Sequence, residues 1–545
     1  MQCDALEAVK RRMPKLNHLV CEGLAYHQMK RIEFEIDRLM KIAFRRDGER
    51  VGDGLPDAFR YVDFEYVTPE ESYMERVKNV TKQSGKGKNS HALNMARTDS
   101  YLVRFIFEND GRTIDKYLSI PFVRRGGITY VNGVPYGISP VIKTRGLSLT
   151  PKGYFIDCGR HRVNIEQLTE QFLINGTVEH IYMPFSTNLH KTNDKRKTNL
   201  PALGYWLFAK FGLQGTFKLY GDAEIEVYHT DDPYLTTLDT EEYAVCKADP
   251  NTRGVSPQLA IVIKKELLTP SNKILLGSAF YIARNNPTRV LAEYVDDPTL
   301  WQVLLGFSIF GKGSPEARIV EDIRSHFANV EAMMDEKFHK ELLTEQIFCD
   351  TMYDFFHYVI VRTTERTGNE MASMARLWGR YYTTTDYVIS GLRESIFTTR
   401  YQLIKLARKT NGRPLPTNLV MQTINTNLKR DKIHGINDGT HGEISTFMTA
   451  TDNMFIGLTS HCIDQTQARK SPGNKKGFDL NDPSKHLHSS IAEVGSLANL
   501  PKSSPFGPDR INGHVEISPA GRILEKEKFR GLMRMMDADF RQKGV

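Results

Sequence analysis

Gly439-Thr440-His441-Gly442-Glu443 opens the stretch of sequence that says most about this chain. It is followed by RKSPGNKKG at residues 469–477 and SLANLPKSSPFG at residues 496–507, and Gly521-Arg522 closes it. Gly, Pro, Ser and Asn are the residues of turns and loops, and here they alternate with lysines and arginines. The composition therefore predicts loops that carry positive charge away from the protein surface.

The basic side chains of this stretch are candidates for contacts with nucleic-acid phosphates. They are Lys470, Lys475, Lys476, Lys485, Lys502, Arg510 and Arg522. Loops of this kind contact phosphates without reading bases, so their binding would weaken steeply with salt. Composition alone fits a solvated loop with no partner equally well.

Two more candidates lie further towards the N-terminus. Arg124 and Arg125 stand directly before Gly126-Gly127, which puts two guanidinium groups on a predicted tight turn. Arginines on an exposed turn are often simply solvated, so a phosphate contact and a solvated turn both remain open for this pair.

Length and charge set the general class. A chain of 545 residues is too long for a single hydrophobic core, so two to four domains are expected. The 73 Lys and Arg exceed the 65 Asp and Glu and give a net charge of +8. This mild basic excess permits a polyanionic partner without requiring one.

Cysteine use and hydropathy narrow the setting. The six cysteines form no CxxC pair and have no nearby histidine set, so a zinc site or a disulfide framework is not expected. The N-terminus has no apolar signal region, and no run approaches 18 apolar residues. We therefore expect a soluble, unprocessed cytoplasmic protein with no membrane partner.

Periodicity predicts a mixed α and β protein. Apolar residues between 4 and 46 recur at helical spacing and predict two or three helices. Asn132-Gly133 is a strong hairpin signal between two of the predicted strands. The predicted strands are Tyr61–Val67, Tyr101–Phe107, Tyr117–Val123, Ile128–Val131 and Val134–Ile138.

The second half is predicted to be more helical. Leu203, Leu207 and Phe211 share one face of a predicted helix, and the basic run before that helix is expected at an exposed helix entry. Helices are predicted across 315–409, and a short amphipathic helix across 421–434. One broad apolar face is assigned to the core, and its members are Phe348, Met352, Phe355, Phe356, Val359 and Ile360.

Two motifs invite a chemical interpretation that their details do not support. Asp231-Asp232 and Asp296-Asp297 each precede a proline, which is far more typical of a turn than of a metal site. Residues 306–313 nearly spell a phosphate-binding loop, but Gly313 stands where a Ser or Thr should bind Mg²⁺. Neither motif is interpreted as a ligand site.

Four segments, in order, resemble the β-type, second-largest subunit of multisubunit DNA-dependent RNA polymerases. Residues 119–133 resemble a hairpin of its protrusion domain, and residues 194–213 resemble a basic run and helix of its lobe. Residues 421–443 resemble the segment that precedes its fork, and 496–522 resemble the fork itself. The matches span roughly 400 residues.

The resemblance implies an α+β, multidomain fold with a β-subunit-like protrusion, lobe and fork. Residues 1–149 would hold N-terminal helices and the first part of the protrusion, and 150–330 the lobe. Residues 331–438 would be the helical second part of the protrusion, and 439–545 the fork with a C-terminal docking helix. The chain would be the N-terminal half of a split β subunit, as in giant (jumbo) bacteriophages, and the cytoplasm would be that of the host.

The resemblance also implies a function. This chain would form part of the DNA channel and the wall of the RNA–DNA hybrid in a DNA-directed RNA polymerase, a nucleotidyltransferase. Its partners would be a C-terminal β-like chain, β′-like chains, the DNA template and the RNA transcript. No catalytic residue, metal ligand or cofactor is expected on this chain, and catalytic Mg²⁺ would be held by aspartates of a partner subunit.

Asp537-Ala538-Asp539 resembles part of that aspartate signature but supplies only two carboxylates in a predicted helix. We interpret this run as the docking helix. The alternatives to a polymerase subunit are a stand-alone viral nucleic-acid-binding protein and a virion structural protein.

Overall fold

A computed structural model describes much of the chain up to residue 428 and short strands beyond it. The described residues are 29–44, 53–75, 99–121, 128–131, 134–138, 141–143, 146–150, 153–158, 161–186, 201–249, 257–311, 313–364, 380–382, 384–410, 415–428, 446–447, 461–463, 508–509, 516–517 and 523–524.

Within these ranges the protein is a mixture of helices and mainly antiparallel strands, as expected for an α+β fold. The strands are β1 (Phe59–Tyr66), β2 (Ser100–Asn109), β3 (Arg112–Pro121), β4 (Ile128–Val131), β5 (Val134–Ile138), β6 (Val141–Lys143), β7 (Leu147–Thr150), β8 (Gly153–Cys158), β9 (His161–Ile174), β10 (Thr177–Ser186), β11 (Ile225–Tyr228), β12 (Tyr243–Ala248), β13 (Ala260–Lys264), β14 (Arg380–Tyr382), β15 (Thr446–Phe447), β16 (His461–Ile463), β17 (Pro508–Asp509), β18 (Glu516–Ile517) and β19 (Ile523–Leu524). The α-helices are α1 (Met29–Phe44), α2 (Leu203–Phe211), α3 (Leu213–Tyr220), α4 (Pro270–Asn285), α5 (Pro298–Phe310), α6 (Glu316–Glu331), α7 (Glu336–Thr344), α8 (Met352–Arg362), α9 (Thr384–Lys409) and α10 (Thr417–Asn427).

The chain divides into two compact units, and one is inserted into the other. Unit 1 comprises Met1–Gly48, Leu55–Arg145 and Met374–Val545, and unit 2 comprises Glu49–Gly54 and Gly146–Ser373. The chain thus leaves unit 1 near residue 145 and returns near residue 374. The resemblance predicts these two transitions at residues 150 and 331, whereas helices α7 and α8 belong to unit 2 and not to the returning segment.

Unit 1 is built on an antiparallel sheet in the order β1-β2-β3. Asp110-Gly111 joins β2 to β3 with positive φ at both positions, +52° and +72°. Such a two-residue turn matches the right-handed twist of the flanking strands. The predicted strands β1, β2 and β3 are confirmed by their antiparallel pairing.

One face of this sheet is apolar and is covered by helices. Phe59, Phe105 and Phe107 point inwards and are buried. The ring of Phe44 from α1 meets the rings of Phe59 and Phe107 edge-on, with centroids 5.7 and 5.6 Å apart. Edge-to-face pairs of this kind add to the stabilisation from apolar burial. Helix α1 packs on β1, α10 packs on β3, and α9 packs on both of these helices.

The contact between α1 and α9 includes buried charge. Asp386, Arg393 and Arg400 follow one another at intervals of seven residues on α9, and all three are largely buried. Arg31 of α1 lies 2.6 Å from the Asp386 carboxylate, and Arg400 donates to the carbonyl of Ala43 in the last turn of α1. A cation at the C-terminal end of a helix is favourable because it meets carbonyls that have no partner within the helix.

The C-terminal part of the chain adds strands to sheets that begin near residue 130. The predicted hairpin at Asn132-Gly133 is confirmed, because Val131 pairs with Val134 between β4 and β5. Strand β15 pairs with β5, and β16 pairs in parallel with β6. Residues after 439 are thus joined to the first part of unit 1 by backbone hydrogen bonds.

Unit 2 contains a seven-stranded sheet. Its order is β11-β13-β12-β9-β8-β7, with β10 paired to β9. The long β9–β10 hairpin turns at Asn175-Gly176, where φ is +48° and +81°. The sequence carries this Asn-Gly signal as clearly as the one at Asn132-Gly133.

Helices α2 and α4 pack against strand β10 of this sheet. Every residue from Leu203 to Ala209 in α2 is buried, including Trp206. Leu203 and Leu207 are buried as predicted, but burial extends all round α2 rather than along one face. The basic run before the helix lies outside the described residues. The helix is enclosed because α4, α5, α8 and β10 contact it from several sides, and only tertiary structure determines this.

The predicted helices of the second half are present at shifted positions. Helix α10 spans 417–427, earlier than the predicted range of 421–434, whose last six residues lie outside the described ones. Phe348 precedes α8 and is 81% exposed, so its assignment to the core is wrong. The other five members of that apolar face lie on α8 and are buried.

Candidate nucleic-acid interface

The predicted phosphate-contacting residues all lie outside the described part of the chain. This applies to Arg124, Arg125, Lys470, Lys475, Lys476, Lys485, Lys502, Arg510 and Arg522. The strands on either side of them are described, so the attachment points of the basic segments are known. Their side-chain roles stay predictions.

The arginine segment at 122–127 is held at both ends by the same part of unit 1. Pro121, at the end of β3, pairs with Ser100 at the start of β2. On the other side, the Asp99 N–H donates to the Tyr130 carbonyl at 2.8 Å, and the Tyr130 N–H donates to Asp99 Oδ2 at 3.1 Å. The segment with Arg124 and Arg125 therefore starts and ends beside residues 99 and 100.

Asp99 is 3% exposed, so its carboxylate makes this contact away from water. A hydrogen bond from a backbone N–H to a buried carboxylate is stronger than one between neutral groups. Asp99 was not among the predicted site residues, because nothing in the local sequence distinguishes it from other aspartates before a strand.

The lysine segment likewise has both ends on neighbouring strands. Residues 464–507 connect β16 to β17, and these strands pair through His461 with Asp509 and Cys462 with Pro508. Lys470, Lys475, Lys476, Lys485 and Lys502 all belong to this one connection. Arg510 follows β17 directly, and β16 lies beside β6, so the connection is attached to unit 1.

Arg522 comes directly before a short strand pair. Strand β19 pairs with β18 through Ile523 with Ile517 and Leu524 with Glu516. Ile523 is 1% exposed and so fixes the chain next to Arg522 in a packed position. All three segments of unit 1 that carry predicted basic contacts are thus flanked by residues with paired backbones.

The described outer face of the β1-β2-β3 sheet is unsuitable for a polyanion. Arg60 lies 2.6 Å from the Glu108 carboxylate, and Arg104 is paired with Glu65. The hydrogen bonds that the Arg104 guanidinium makes with Tyr117 and with the accepting Glu65 carboxylate raise the pKa of Arg104 above its usual value. The positive charges of this face are therefore neutralised by carboxylates on neighbouring strands.

Unit 2 presents an acidic surface. Residues 222–242 contain no Lys or Arg and carry the carboxylates Asp222, Glu224, Glu226, Asp231, Asp232, Asp239, Glu241 and Glu242. All of these are exposed except Asp232, which is half-buried. This surface would repel phosphates, whereas the predicted phosphate-contacting residues all belong to unit 1.

The two motifs rejected from the sequence have structural roles. Asp232 and Asp297 cap helices that begin with proline, and their side chains accept the backbone N–H of Tyr234 and Thr299 at 2.9 and 2.8 Å. Both aspartates are therefore helix N-caps, and each predicted turn is the start of a helix. Among the described residues no group of three His, Cys, Asp or Glu side chains could hold a metal ion.

The apparent phosphate loop is part of a helix. Gly306 lies within α5, where a Cβ atom would come within 2.0 Å of Ile319 Cγ2 on α6. The glycine is needed for the close packing of these two helices and not for a backbone cradle around a phosphate. Asp537 and Asp539 lie outside the described residues.

Ser271, His357 and Asp354 form an arrangement that the sequence did not suggest. Ser271 Oγ lies 3.2 Å from His357 Nε2. Asp354 accepts hydrogen bonds from Thr351 and from the Tyr220 hydroxyl, the latter at 3.1 Å. Burial lowers the pKa of His357, and the Asp354 charge opposes this only in part.

A nucleophilic triad requires an acid that orients the base. Asp354 instead caps α8 and binds Tyr220, so this cluster links helices α3, α4 and α8 and is not a catalytic site.

The described helices include none long and apolar enough to cross a membrane.

Comparison with known proteins defines the class of this chain. Residues 16–537 match the model of a family of RNA polymerase subunits. The chain belongs to that family, the non-virion RNA polymerase subunits. No curated protein matches the sequence. Family membership favours the polymerase-subunit hypothesis over a stand-alone binding protein or a virion structural protein, and it implies other polymerase subunits as partners.

Proposed function

We propose that this chain takes the place of the N-terminal half of a β-type subunit in a multisubunit DNA-directed RNA polymerase. The observation that carries the proposal is the path of the chain. It builds unit 1, leaves it near residue 145 for unit 2, returns near residue 374, and then adds strands β15 and β16 to sheets of unit 1. A β-type subunit would follow the same order of protrusion, lobe, protrusion and fork.

In this proposal unit 2 corresponds to the lobe, and unit 1 to the protrusion together with the fork. The lobe-like part then extends to residue 373 rather than 330. The insertion of one compact unit into another is a property of the whole chain and does not depend on any of the short sequence similarities. It therefore supports the proposal independently of them.

Nucleic acid would be contacted by the basic segments of unit 1. The segment with Arg124 and Arg125 and the segment with five lysines are both attached to this unit by paired strands. Lysines and arginines on loops contribute phosphate contacts that position the nucleic acid without reading its sequence. We propose that they line the DNA channel and the wall of the RNA–DNA hybrid.

Catalysis would be a property of the assembled polymerase. Nucleotidyl transfer uses two metal ions held by convergent carboxylates, and we assign those aspartates and their Mg²⁺ to a partner subunit. In this proposal the present chain binds no cofactor, and its task is to hold the nucleic acid. Its partners would be a C-terminal β-like chain and β′-like chains, in the cytoplasm of a phage-infected host.

Reconstitution tests the assignment to the polymerase. Tagged protein should retain the other polymerase subunits in stoichiometric amounts, and a complex assembled without it should fail to elongate RNA. A monomer that retains no polymerase subunit would contradict the proposal.

Photo-crosslinking tests the β-like position. A photoreactive amino acid at position 475 should crosslink to nucleic acid in stalled elongation complexes, because a channel wall stays in contact throughout transcription. Crosslinks confined to promoter complexes would instead indicate a promoter-recognition subunit without a β-like position. The matched control places the same amino acid at position 241, on the acidic surface of unit 2, where no crosslink is expected.

A further inference from the structure

Phe348 is the most exposed large apolar side chain in the described part of the protein. It is 81% exposed and lies in unit 2, in the loop between α7 and α8. Leu343, in the last turn of α7, is 41% exposed and accepts the Gln346 N–H through its carbonyl at 3.0 Å. The loop thus displays an aromatic ring five residues after a second exposed apolar side chain.

The loop holds Phe348 outwards. The Ile347 N–H donates to the Leu342 carbonyl at 2.9 Å, and the side chains of Ile347 and Cys349 are each only 5% exposed. In an extended segment alternate side chains point to opposite sides, so two buried neighbours force Phe348 into solvent. Gln346, with φ at +61°, fixes the turn before them.

The following residues are fixed as well. Thr351 and Asp354 form a capping box at the start of α8, in which each side chain accepts the backbone N–H of the other residue. Phe348 is therefore held between two ordered helix ends. A ring presented in this way loses little conformational entropy when it binds, and buried aromatic anchors often dominate the energy of protein interfaces.

The nearest charged residues in sequence on both sides of Phe348 are acidic. Asp350 has a side chain that is 96% exposed, with its carboxylate 3.6 Å from His339 Nε2, and Glu345 is exposed on the other side of the loop. The pKa of the Cys349 thiol is raised to about 11, first by burial and then by the charges of Asp354 and Asp350. A negative rim disfavours nucleic acid and favours a surface with Lys or Arg.

We propose that Phe348 is the anchor by which unit 2 docks on another subunit of the polymerase, in an apolar pocket rimmed by basic side chains. The inference rests on the proposed function, because that function supplies a permanent protein partner. It adds the place and chemistry of a contact that neither the family nor the chain path specifies.

The test measures the affinity of the full chain for the remaining polymerase subunits. Phe348→Ala should weaken binding by at least about tenfold, as expected for an aromatic anchor. Phe348→Tyr should stay close to the wild type, since the ring is kept. Asp350→Lys should also weaken binding, and more so at low salt, because it places a cation opposite a basic rim.

The matched control is Tyr294→Ala, which truncates another aromatic side chain of unit 2 that is 59% exposed. It should bind like the wild type. The melting temperature of the isolated chain should be the same for Phe348→Ala and the wild type, because a ring that is exposed to water contributes little to folding.

Each other outcome overturns the inference. Unchanged affinity of Phe348→Ala would refute the anchor, and an equal loss in Tyr294→Ala would show that the effect is not specific to this loop. Loss of a homodimer in Phe348→Ala, with binding to the other subunits intact, would assign the loop to a second copy of this chain. If the wild type itself fails to bind polymerase subunits, the proposed function fails and the docking inference with it.

Discussion

Replacement of Asp99 tests the anchoring of the arginine segment. Asp99 Oδ2 accepts the Tyr130 N–H at 3.1 Å, and Asp99 is 3% exposed. Asp99→Ala keeps the backbone bond from the Asp99 N–H to the Tyr130 carbonyl but removes this second bond. A hydrogen bond to a buried charged group contributes about 1.5–3 kcal/mol, so the closed arrangement should be destabilised by about that amount.

Hydrogen exchange of the Tyr130 amide measures this bond directly. A loss of about 1.5–3 kcal/mol corresponds to exchange that is roughly ten- to 150-fold faster. Asp99→Asn keeps a carbonyl acceptor without the charge, so its effect should be smaller, at most about tenfold. Exchange elsewhere in the β1-β2-β3 sheet should change much less.

Asp115→Ala is the matched control, because Asp115 is an exposed carboxylate on β3. It should leave Tyr130 exchange unchanged. The reasoning is refuted if Tyr130 exchanges at the wild-type rate in Asp99→Ala, or if Asp99→Asn is as severe as Asp99→Ala.

Three further predictions concern unit 2. Gly306→Ala should lower the free energy of unfolding by about 1–3 kcal/mol, because the new methyl group overpacks against Ile319. Gly313→Ala should be neutral, because nothing lies within 4 Å of its new Cβ. Urea denaturation of both variants checks this. Burial lowers the pKa of His357, so the folded state favours the neutral ring. The contribution of His357 to the free energy of unfolding should therefore be full above the ordinary histidine pKa and fall as the pH drops below it. Thermal melts between pH 7.5 and 5.5 should show a weaker pH dependence for His357→Gln than for the wild type. Burial raises the pKa of Cys246 to about 12, so this thiol should resist a thiol reagent in the folded protein and react only after denaturation, as mass spectrometry of labelled peptides would show.

Local signals in the sequence predicted much of the secondary structure. Asn132-Gly133 predicted the β4–β5 hairpin because Asn-Gly is the dipeptide that two-residue hairpin turns prefer, and the alternating apolar residues predicted β1, β2 and β3. Asp297 and Pro298 are a helix start for an equally local reason, the match between a carboxylate cap and a proline at the first helical position. The prediction of a turn at this motif misses the helix that the same two residues begin.

Burial was less predictable, since it depends on residues that are distant in sequence. Helix α2 is buried along Leu203–Ala209 because other elements enclose it. Phe348 has the same apolar neighbours in sequence as a core residue, yet the buried Ile347 and Cys349 turn it outwards. The return of the chain to unit 1 near residue 374 likewise depends on which helices pack together.

The candidate site could be predicted only as a set of basic residues. Their attachment to unit 1 depends on the long-range pairs of β16 with β6 and of Asp99 with Tyr130. No local pattern announces either pairing. The sequence therefore indicated which charges to consider, and the structure added where their segments are attached.

The most direct test of the central claim is the salt dependence of DNA binding by the reconstituted polymerase. We expect the triple variant Lys470→Ala, Lys475→Ala, Lys476→Ala to reduce the slope of log K against log salt by about 0.9 for each phosphate that a lysine no longer neutralises, up to about 2.7. The control removes three exposed lysines of unit 2, Lys218, Lys264 and Lys265, and should leave the slope unchanged. An unchanged slope in the first variant, or an equal reduction in the control, would contradict the assignment of nucleic-acid contact to unit 1.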